Sequence, residues 1–391
     1  MLTTGILGRY RVRALRLGIT TLIGVMLASG IASGHVRYVT TAKEAGEGLA
    51  FLVAALTTPF NAVALGGGVT MVGLSAAAYL RLQPFPRDVS VFRETMRGYS
   101  DLLPWLLRLG FGLPLVGAGF AGYYFNPIVD PVGIASLARL LQIGMGFALL
   151  FGLATRAVAA LGLGVFLLSI PAEPLLLYSL EWIPGFLAIG IMGGGRPSAD
   201  QTFGRIATAE GTIYGRLDPF NRLSKRVAPA IDPLKTYVPI VIRVGTGLAF
   251  AFVAVSEKLL APEWGLNVVQ RYGLTDLLPV PAELWVVGAG LSELALGLFL
   301  LVGLFTRASA LVALFVFTLT LFGIPDDPVL AHIGLFSLAS ALLITGAGPW
   351  ALDNLIGARK PTRAAPLSDT DAESTDPADD RDGDRRVPTD D

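Results

Sequence analysis

The 391-residue chain has no cysteine and only two histidines. Without cysteine, the chain cannot form disulfides, thiolate metal sites or thiol redox relays. The histidines, His35 and His332, are far apart in the sequence and too few for a histidine-rich metal site, and a haem held by two histidines would need both. We therefore predict no metal site in this chain.

Charged residues are also scarce. They make up 15% of the sequence, whereas hydrophobic residues make up 53% and the mean hydropathy is +0.62. Ordinary soluble domains contain roughly 25% charged residues. This composition predicts a polytopic membrane protein whose main partner is the lipid bilayer. Nothing in it predicts a nucleic-acid partner.

The formal net charge of zero hides an uneven distribution. Residues 364–391 hold ten Asp or Glu against three Arg, which leaves 27 basic and 20 acidic residues in 1–363. An acidic segment with so few apolar residues cannot bury a core. We predict that the tail, residues 359–391, is disordered.

What the chain has in abundance is long apolar runs. The first, at 14–33, predicts a membrane helix. The next, at 48–82, is too long for one straight crossing, and Pro59 and the glycines at 66–68 are candidate breaks. Under the positive-inside rule, the arginines before and after these runs belong on one side. We therefore predict about two spans within 1–100.

From residue 101 onward the sequence reads as a tandem duplication. The openings align through Pro104, Arg108, Gly110 and Gly112 in the first copy and Pro239, Arg243, Gly245 and Gly247 in the second. Thr155-Arg156 then matches Thr306-Arg307, and the copies close at Asp200 and Asp353. Four landmarks in the same order are hard to obtain by chance.

Each copy contains four apolar segments. They lie at 103–123, 136–154, 157–170 and 175–193 in the first copy and at 239–260, 284–305, 308–323 and 329–346 in the second. The predicted fold is an all-α polytopic membrane protein with two tandem four-helix transmembrane bundles, arranged as parallel repeats, after about two N-terminal transmembrane helices. Four arginines serve as topology anchors on one side: Arg108, Arg156, Arg243 and Arg307. We expect a multi-pass plasma-membrane protein with both termini cytoplasmic.

The predicted organisation has five parts. They are an N-terminal membrane segment at 1–100, a degenerate four-helix repeat at 101–205, a cytoplasmic basic linker at 206–236, a second four-helix repeat at 237–358 and the acidic tail at 359–391. The insertion at 261–281, which lengthens the second repeat, predicts an interfacial helix and turn.

Ionisable residues inside the predicted spans mark the candidate site, because a charge in the bilayer is costly and usually has a role. They are Glu257, Lys258, Glu293 and His332 in the second copy, opposite the uncharged Gly122, Tyr123, Gln142 and Tyr178 in the first. One interpretation is a polar pocket in which Glu293 transfers protons or binds a quinone, with His332 as its proton partner. The other is that Glu293, protonated or paired with Lys258, only fixes helix packing.

The second copy resembles the DoxX family of membrane proteins. The residues that carry the resemblance are Arg243-Val-Gly, Glu257-Lys258-Leu259, Tyr272-Gly273-Leu274, the Gly290, Glu293 and Gly297 stripe, the Gly-Leu-Phe-Thr-Arg turn and the closing GAGPWALD. The resemblance covers about 238–357, and a degenerate version covers about 103–204. It implies a four-helix membrane bundle and an association with membrane oxidoreductases, since relatives include a subunit of thiosulfate:quinone oxidoreductase.

The leading hypothesis is an accessory or quinone-proximal subunit of a membrane oxidoreductase system, whose redox cofactor sits on a soluble or membrane partner. Two alternatives stay open: a small-solute transporter, and a structural or chaperone-like assembly factor. We recognise no self-contained catalytic site, so the chain itself is at most a subunit of an enzyme. The sequence does not define the oligomeric state.

Overall fold

The computed structural model describes residues 36–39, 48–131, 133–217 and 226–357, and this part is helical without a named strand. The predicted first helix at 14–33 and the acidic tail from 359 lie outside these residues. The main helices are α1 (Gly48–Thr57), α2 (Pro59–Leu82), α3 (Pro86–Gly98), α4 (Leu103–Ala121), α5 (Ala135–Phe151), α6 (Thr155–Ser169), α7 (Trp182–Met192), α8 (Ala199–Thr208), α9 (Val238–Val253), α10 (Pro262–Arg271), α11 (Ala282–Val302), α12 (Thr306–Gly323) and α13 (Val329–Thr345).

Several helices are apolar enough to cross a membrane. Five continuous helical stretches also have the length: Pro59–Leu82, Pro86–Ala121, Arg226–Leu259, Ala282–Val302 and Thr306–Gly323. Five shorter apolar helices accompany them, namely α1, α5, α6, α7 and α13. The chain is therefore a multi-pass membrane protein by the length and composition of its helices.

The helices of each half pack in the same order. In the first half, α4 packs on α5 and α7, and α6 packs on α7; in the second half, α9 packs on α11 and α13, and α12 packs on α13. Glycines permit the tightest of these crossings. A Cβ on Gly247 would lie 2.7 Å from the Gly297 carbonyl oxygen, and a Cβ on Gly112 would lie 3.0 Å from that of Gly146.

The two halves meet reciprocally, because α4 packs against α13 while α9 packs against α7. Gly110 makes room for Ser337, whose Cβ would lie 2.1 Å from a Cβ added at the glycine. Gly245 likewise makes room for Pro184, whose Cβ would lie 2.5 Å from a Cβ added at this glycine. The first helix of each half thus contacts the last helix of the other.

One turn occurs in both halves, between the second and third helices. In the first half the Asp200 carboxylate accepts the N–H groups of Ala154 and Thr155, at 2.6 and 2.9 Å. In the second half the Asp353 carboxylate accepts those of Phe305 and Thr306, at 2.7 and 2.9 Å. Each carboxylate thereby caps the start of a helix, where N–H groups have no helical partner.

The four arginines predicted as topology anchors lie near these turns. Arg243 is buried and donates to the carbonyls of Ala347 and Trp350, at 3.0 and 2.8 Å, and Arg108 donates to that of Pro197 at 2.6 Å. Arg307 binds the last carbonyls of α13. Since Arg108 and Arg243 bind backbone oxygens inside the protein, they fix the turns; their role in membrane orientation stays a prediction.

The N-terminal apolar block forms two helices, α1 and α2, broken at Pro59 as predicted. The predicted break at 66–68 is wrong, because these glycines lie inside α2. A membrane helix tolerates glycine, since its backbone hydrogen bonds are satisfied within the helix. Most of α2 is exposed, and Asn61 is its one buried residue.

The remaining segments connect and close the bundles. The predicted linker begins inside α8, and its last residues form a short helical turn, Asp232–Tyr237, that leads into α9. The insertion at 261–281 contains α10 and the turn Leu274–Leu277. Because Val268 and Val269 of α10 are buried in a cluster with Trp285 of α11, the insertion covers one end of the second half.

Candidate functional site

A buried ion pair joins the first two helices of the second half. The Lys258 ammonium donates to a Glu293 carboxylate oxygen; Lys258 is 1% exposed and Glu293 9%. Lys258 lies in a π-turn, Ala254–Leu259, that continues α9, and Glu293 lies near the middle of α11. A pair this deeply buried is costly to form and more costly to break, because each ion would leave the other uncompensated.

Small residues bring the two helices close enough for this pair. A Cβ on Gly290 would lie 2.8 Å from a Leu259 methyl and 3.1 Å from the Lys258 Cβ. Gly290, Glu293 and Gly297 therefore lie on the face of α11 that contacts α9, as their spacing predicts. The glycines set the distance, and the carboxylate between them meets the lysine.

Glu257 precedes Lys258 directly but has another partner. Its carboxylate lies 3.6 Å from the guanidinium of Arg37. That guanidinium is also 4.5 Å from the ring centre of Tyr178 and 4.6 Å from that of Trp264. Arg37 is thus held by two aromatic faces and a carboxylate, an arrangement that favours a cation.

A second acidic group faces His332. Asp327, in the loop between α12 and α13, lies 3.4 Å from His332 Nε2, and both side chains are 1% exposed. The His332 Nδ1 must donate to the Pro328 carbonyl, 3.3 Å away, because that oxygen can only accept. Burial raises the pKa of the Asp327 carboxyl to about 7, against an opposing effect of Lys258. Near neutral pH the Asp327 carboxyl is therefore the group of this pair that gains or loses a proton.

A small cavity lies beside Glu293 and His332. Glu181, Glu293 and His332 line it together with apolar side chains that include Phe250 and Phe317. Its volume is about 10 Å³, which holds no more than one water molecule. Glu181 comes from the start of α7 in the first half and is 4% exposed. The cavity is therefore lined by carboxyl groups from both halves.

The matching place in the first half is closed by backbone. There α4 ends at Gly122 in a left-handed conformation, and the chain folds inward instead of continuing as a π-turn. The Gln142 amide accepts from the Phe125 N–H at 2.9 Å and donates to the Tyr123 carbonyl at 3.0 Å. An amide suits this place because the side chain here must both accept and donate a hydrogen bond. Glu293 faces an ammonium and only has to accept.

Of the four residues predicted for the site, three lie together: Lys258 binds Glu293, and Glu293 and His332 line the same cavity. Glu257 is buried nearby but binds Arg37. The sequence interpretation missed Arg37, Glu181 and Asp327. Glu181 carries the signal that singles out Glu293, a carboxylate within an apolar run, whereas Asp327 lies between the apolar segments at 308–323 and 329–346.

The geometry also limits which ligands fit. Within the described part of the chain, no group of three or more His, Asp or Glu side chains could hold a metal ion. A quinone ring does not fit the cavity, because pockets for such ligands measure about 300–1,000 Å³. As it stands, the cluster can accept a proton or one water molecule.

Comparison with known proteins gives one family match. Residues 238–326 match the family model described as DoxX, which confirms the resemblance over this part of the chain. The match includes Glu257, Lys258 and Glu293 and stops before Asp327 and His332. No curated protein and no solved structure matches the chain.

Proposed function

We propose that this membrane protein, which carries a DoxX domain over residues 238–326, serves a membrane oxidoreductase system by handling protons at its buried ion cluster. The observation that carries the proposal is the water-sized cavity lined by Glu181, Glu293 and His332. Lys258 and Asp327 each bind one of these lining residues. Buried ionisable groups in a membrane protein are costly, and they commonly mark proton or ion pathways.

The proton chemistry follows from the pairs. Asp327 gains or loses a proton near neutral pH beside His332, and His332 and Glu293 both line the cavity. One water in the cavity would bind Glu293, and His332 would reach that water once its Nδ1 leaves the Pro328 carbonyl. The route would then run from Asp327 through His332 and the water to Glu293, whose charge Lys258 balances. Glu181 faces the same water from the first half.

The redox cofactor is assigned to another chain. The present chain has no cysteine and two histidines, so it lacks the usual ligands for iron–sulfur clusters and haems. The cavity is too small for a quinone ring, so the quinone would bind a soluble or membrane partner beside this chain. That arrangement describes an accessory, quinone-proximal subunit.

Duplication and orientation belong to the same proposal. A tandem duplication is supported by the Asp200 and Asp353 caps, by the glycine crossings of both halves and by the reciprocal packing of α4 on α13 and α9 on α7. We further propose a plasma-membrane location with cytoplasmic termini, on the distribution of the arginines.

Substitution of the ion pair tests the proposal. Glu293→Gln leaves Lys258 buried without its counter-charge, which should cost about 3–5 kcal/mol of stability. The double variant Lys258→Met, Glu293→Gln removes both charges and should restore accumulation. If the pair handles protons, membranes with the double variant should still lose quinone-linked activity by about tenfold or more.

The readout is quinone reduction by membrane vesicles that contain the chain and the oxidoreductase that co-purifies with it in mild detergent. Normal activity in the double variant would remove the proton-handling role. Normal activity per molecule with a reduced amount of the partner complex would favour the assembly factor. Lys258→Gln, Glu293→Gln serves as a second charge-free version.

A small-solute transporter is the second candidate, and Glu181 favours it, because transport requires polar groups from both halves on a shared path. The cavity restricts such a solute to the size of a proton or a water. Proton uptake by liposomes that contain the purified chain alone, driven by a membrane potential, would identify a transporter. An accessory subunit should show no uptake without its partner.

A further inference from the structure

Three arginines come together at the end of the second half that lies away from the ion cluster. Arg307 donates to the carbonyls of Leu343 and Ile344 at the end of α13, at 2.8 and 3.1 Å. α3 packs against α13, so its Arg93 and Arg97 lie close enough to Arg307 for their charges to act on it. They are one helical turn apart, so both fall on one face of α3. We call Arg93, Arg97 and Arg307 the arginine patch.

The equivalent arginine in the first half binds a carboxylate of the protein itself. Arg156, the counterpart of Arg307 in the aligned sequence, lies 3.4 Å from the Asp232 carboxylate. Lys235 binds the same carboxylate at 3.0 Å. Two cations therefore share one anion in the first half.

The arginine patch has no comparable carboxylate among the described residues. Neither Arg93 nor Arg97 forms an ion pair there, and both are exposed. Asp353 is the nearby acid, but its two oxygens accept the N–H groups of Phe305 and Thr306. The patch thus carries an excess of positive charge that an external anion would balance.

The helix that carries the patch is amphipathic. No residue of α3 is buried, and Val91 and Phe92 are exposed large apolar side chains. α3 leads through the short turn Ser100–Leu102 directly into α4, the first helix of the first half. A helix with a basic face, exposed apolar side chains and a position at the end of a span is typical of the membrane interface.

We propose that Arg93, Arg97 and Arg307 bind the phosphate of an anionic phospholipid whose acyl chains cover the apolar side chains of α3. Guanidinium groups are suited to phosphate because they donate several hydrogen bonds in a planar array. The acidic tail of the chain is a weaker occupant, because its carboxylates would balance the charge but leave Val91 and Phe92 uncovered. The lipid accounts for both features.

The test compares two double variants of the full chain. Arg93→Gln, Arg97→Gln removes two charges of the patch, and Arg87→Gln, Arg205→Gln removes two exposed arginines outside it. Each purified protein is placed in nanodiscs that contain phosphatidylglycerol with phosphatidylcholine. The protein is then extracted into detergent, and native mass spectrometry counts the lipid molecules that it retains. The patch variant should retain phosphatidylglycerol about tenfold less well than wild type. The control variant and the retention of phosphatidylcholine should change less than about twofold.

Three results would overturn the proposal. The first is equal retention of both lipids by the wild type, or an equal loss in both variants. The second is thermal stabilisation of the wild type by inorganic phosphate as large as that by phosphatidylglycerol, which would assign the patch to a free anion. The third is phosphatidylglycerol binding only after residues 358–391 are deleted, which would identify the acidic tail as the occupant.

Discussion

Single residues next to each other in the chain have different roles at the ion cluster. Glu257 binds Arg37, whereas its neighbour Lys258 binds Glu293. The sequence predicts which residues are charged and buried, because an ionisable group within an apolar run is recognisable by itself. It offers the Lys258–Glu293 pair only as one of two interpretations and gives no partner for Glu257, because the partners lie far apart in the chain.

Asp327 gives a prediction at this scale. Its pKa is about 7 in the folded protein, against about 3.9 in an unfolded chain. Between these pH values the folded state binds a proton that the unfolded state has lost. The free energy of unfolding should therefore fall as the pH rises from about 4 to about 7, by at most about 4 kcal/mol, and stay lowered above that range.

Asp327→Asn removes the titrating group, so this part of the pH dependence of stability should disappear. The stability of the variant relative to wild type should therefore be higher at pH ~8 than at pH ~5. Thermal unfolding in detergent at both pH values measures it. Asp326→Asn is the matched control: it loses exposed bonds to Arg271 and Tyr272 and should keep the slope. An unchanged slope in Asp327→Asn would contradict the assignment.

At the scale of whole elements, the apolar runs predict the helices well. The observed bounds of most helices in both halves lie within a few residues of the predicted segments, because run length and flanking glycine or charge fix where a membrane helix can end. The exception is α7, which begins at Trp182 instead of 175, after a short 3₁₀ turn at Pro174–Ser179. The glycines at 66–68 show the limit of this reasoning. Glycine at the end of α5 terminates the helix in a left-handed conformation, whereas the same residue inside α2 does not.

The crossing of α9 and α11 gives a prediction for an element pair. A methyl group at Gly247 would lie 2.7 Å from the Gly297 carbonyl oxygen, so Gly247→Ala should force the helices apart and cost about 1–3 kcal/mol. It should also lengthen the Lys258–Glu293 contact. Gly66→Ala is the matched control, because no atom lies within 4 Å of its added Cβ.

Thermal unfolding in detergent, measured by the loss of helical signal on heating, distinguishes the two variants. Gly66→Ala should match wild type or slightly exceed it, because alanine favours helices. A Gly247→Ala protein as stable as Gly66→Ala would show that the helices can separate without penalty.

For the whole molecule, the reciprocal contact of the halves is the main feature that the sequence leaves open. The alignment predicts parallel repeats, but it does not say which helices meet. Gly110 and Gly245 align with each other, and each meets the last helix of the opposite half. Their role depends on contacts between segments far apart in the chain. The same holds for Glu181, which reaches the cavity of the second half only because the halves pack this way.

Dividing the chain tests this interface. Residues 1–217 and 226–391, expressed as two polypeptides in one cell, should associate and co-purify through α4–α13 and α9–α7. Gly110→Leu should reduce the recovered complex several-fold, because the larger side chain would overlap Ser337. Gly164→Leu, where no atom lies within 4 Å of an added Cβ, should leave recovery unchanged. Equal recovery from both variants would mean that the halves do not depend on this contact.

Because of the π-turn Ala254–Leu259, the ion pair depends on how many residues precede Lys258 in the helix as well as on which residues they are. A π-turn accommodates one residue more than an α-helical turn, and each residue of a helix rotates its successors by about 100°. Loss of a single residue between Ala254 and Lys258 would restore a regular helix and rotate the lysine away from Glu293, with both side chains still present. Insertions and deletions, as well as substitutions, are therefore a genetic route by which a chain of this kind could gain or lose its buried charge pair.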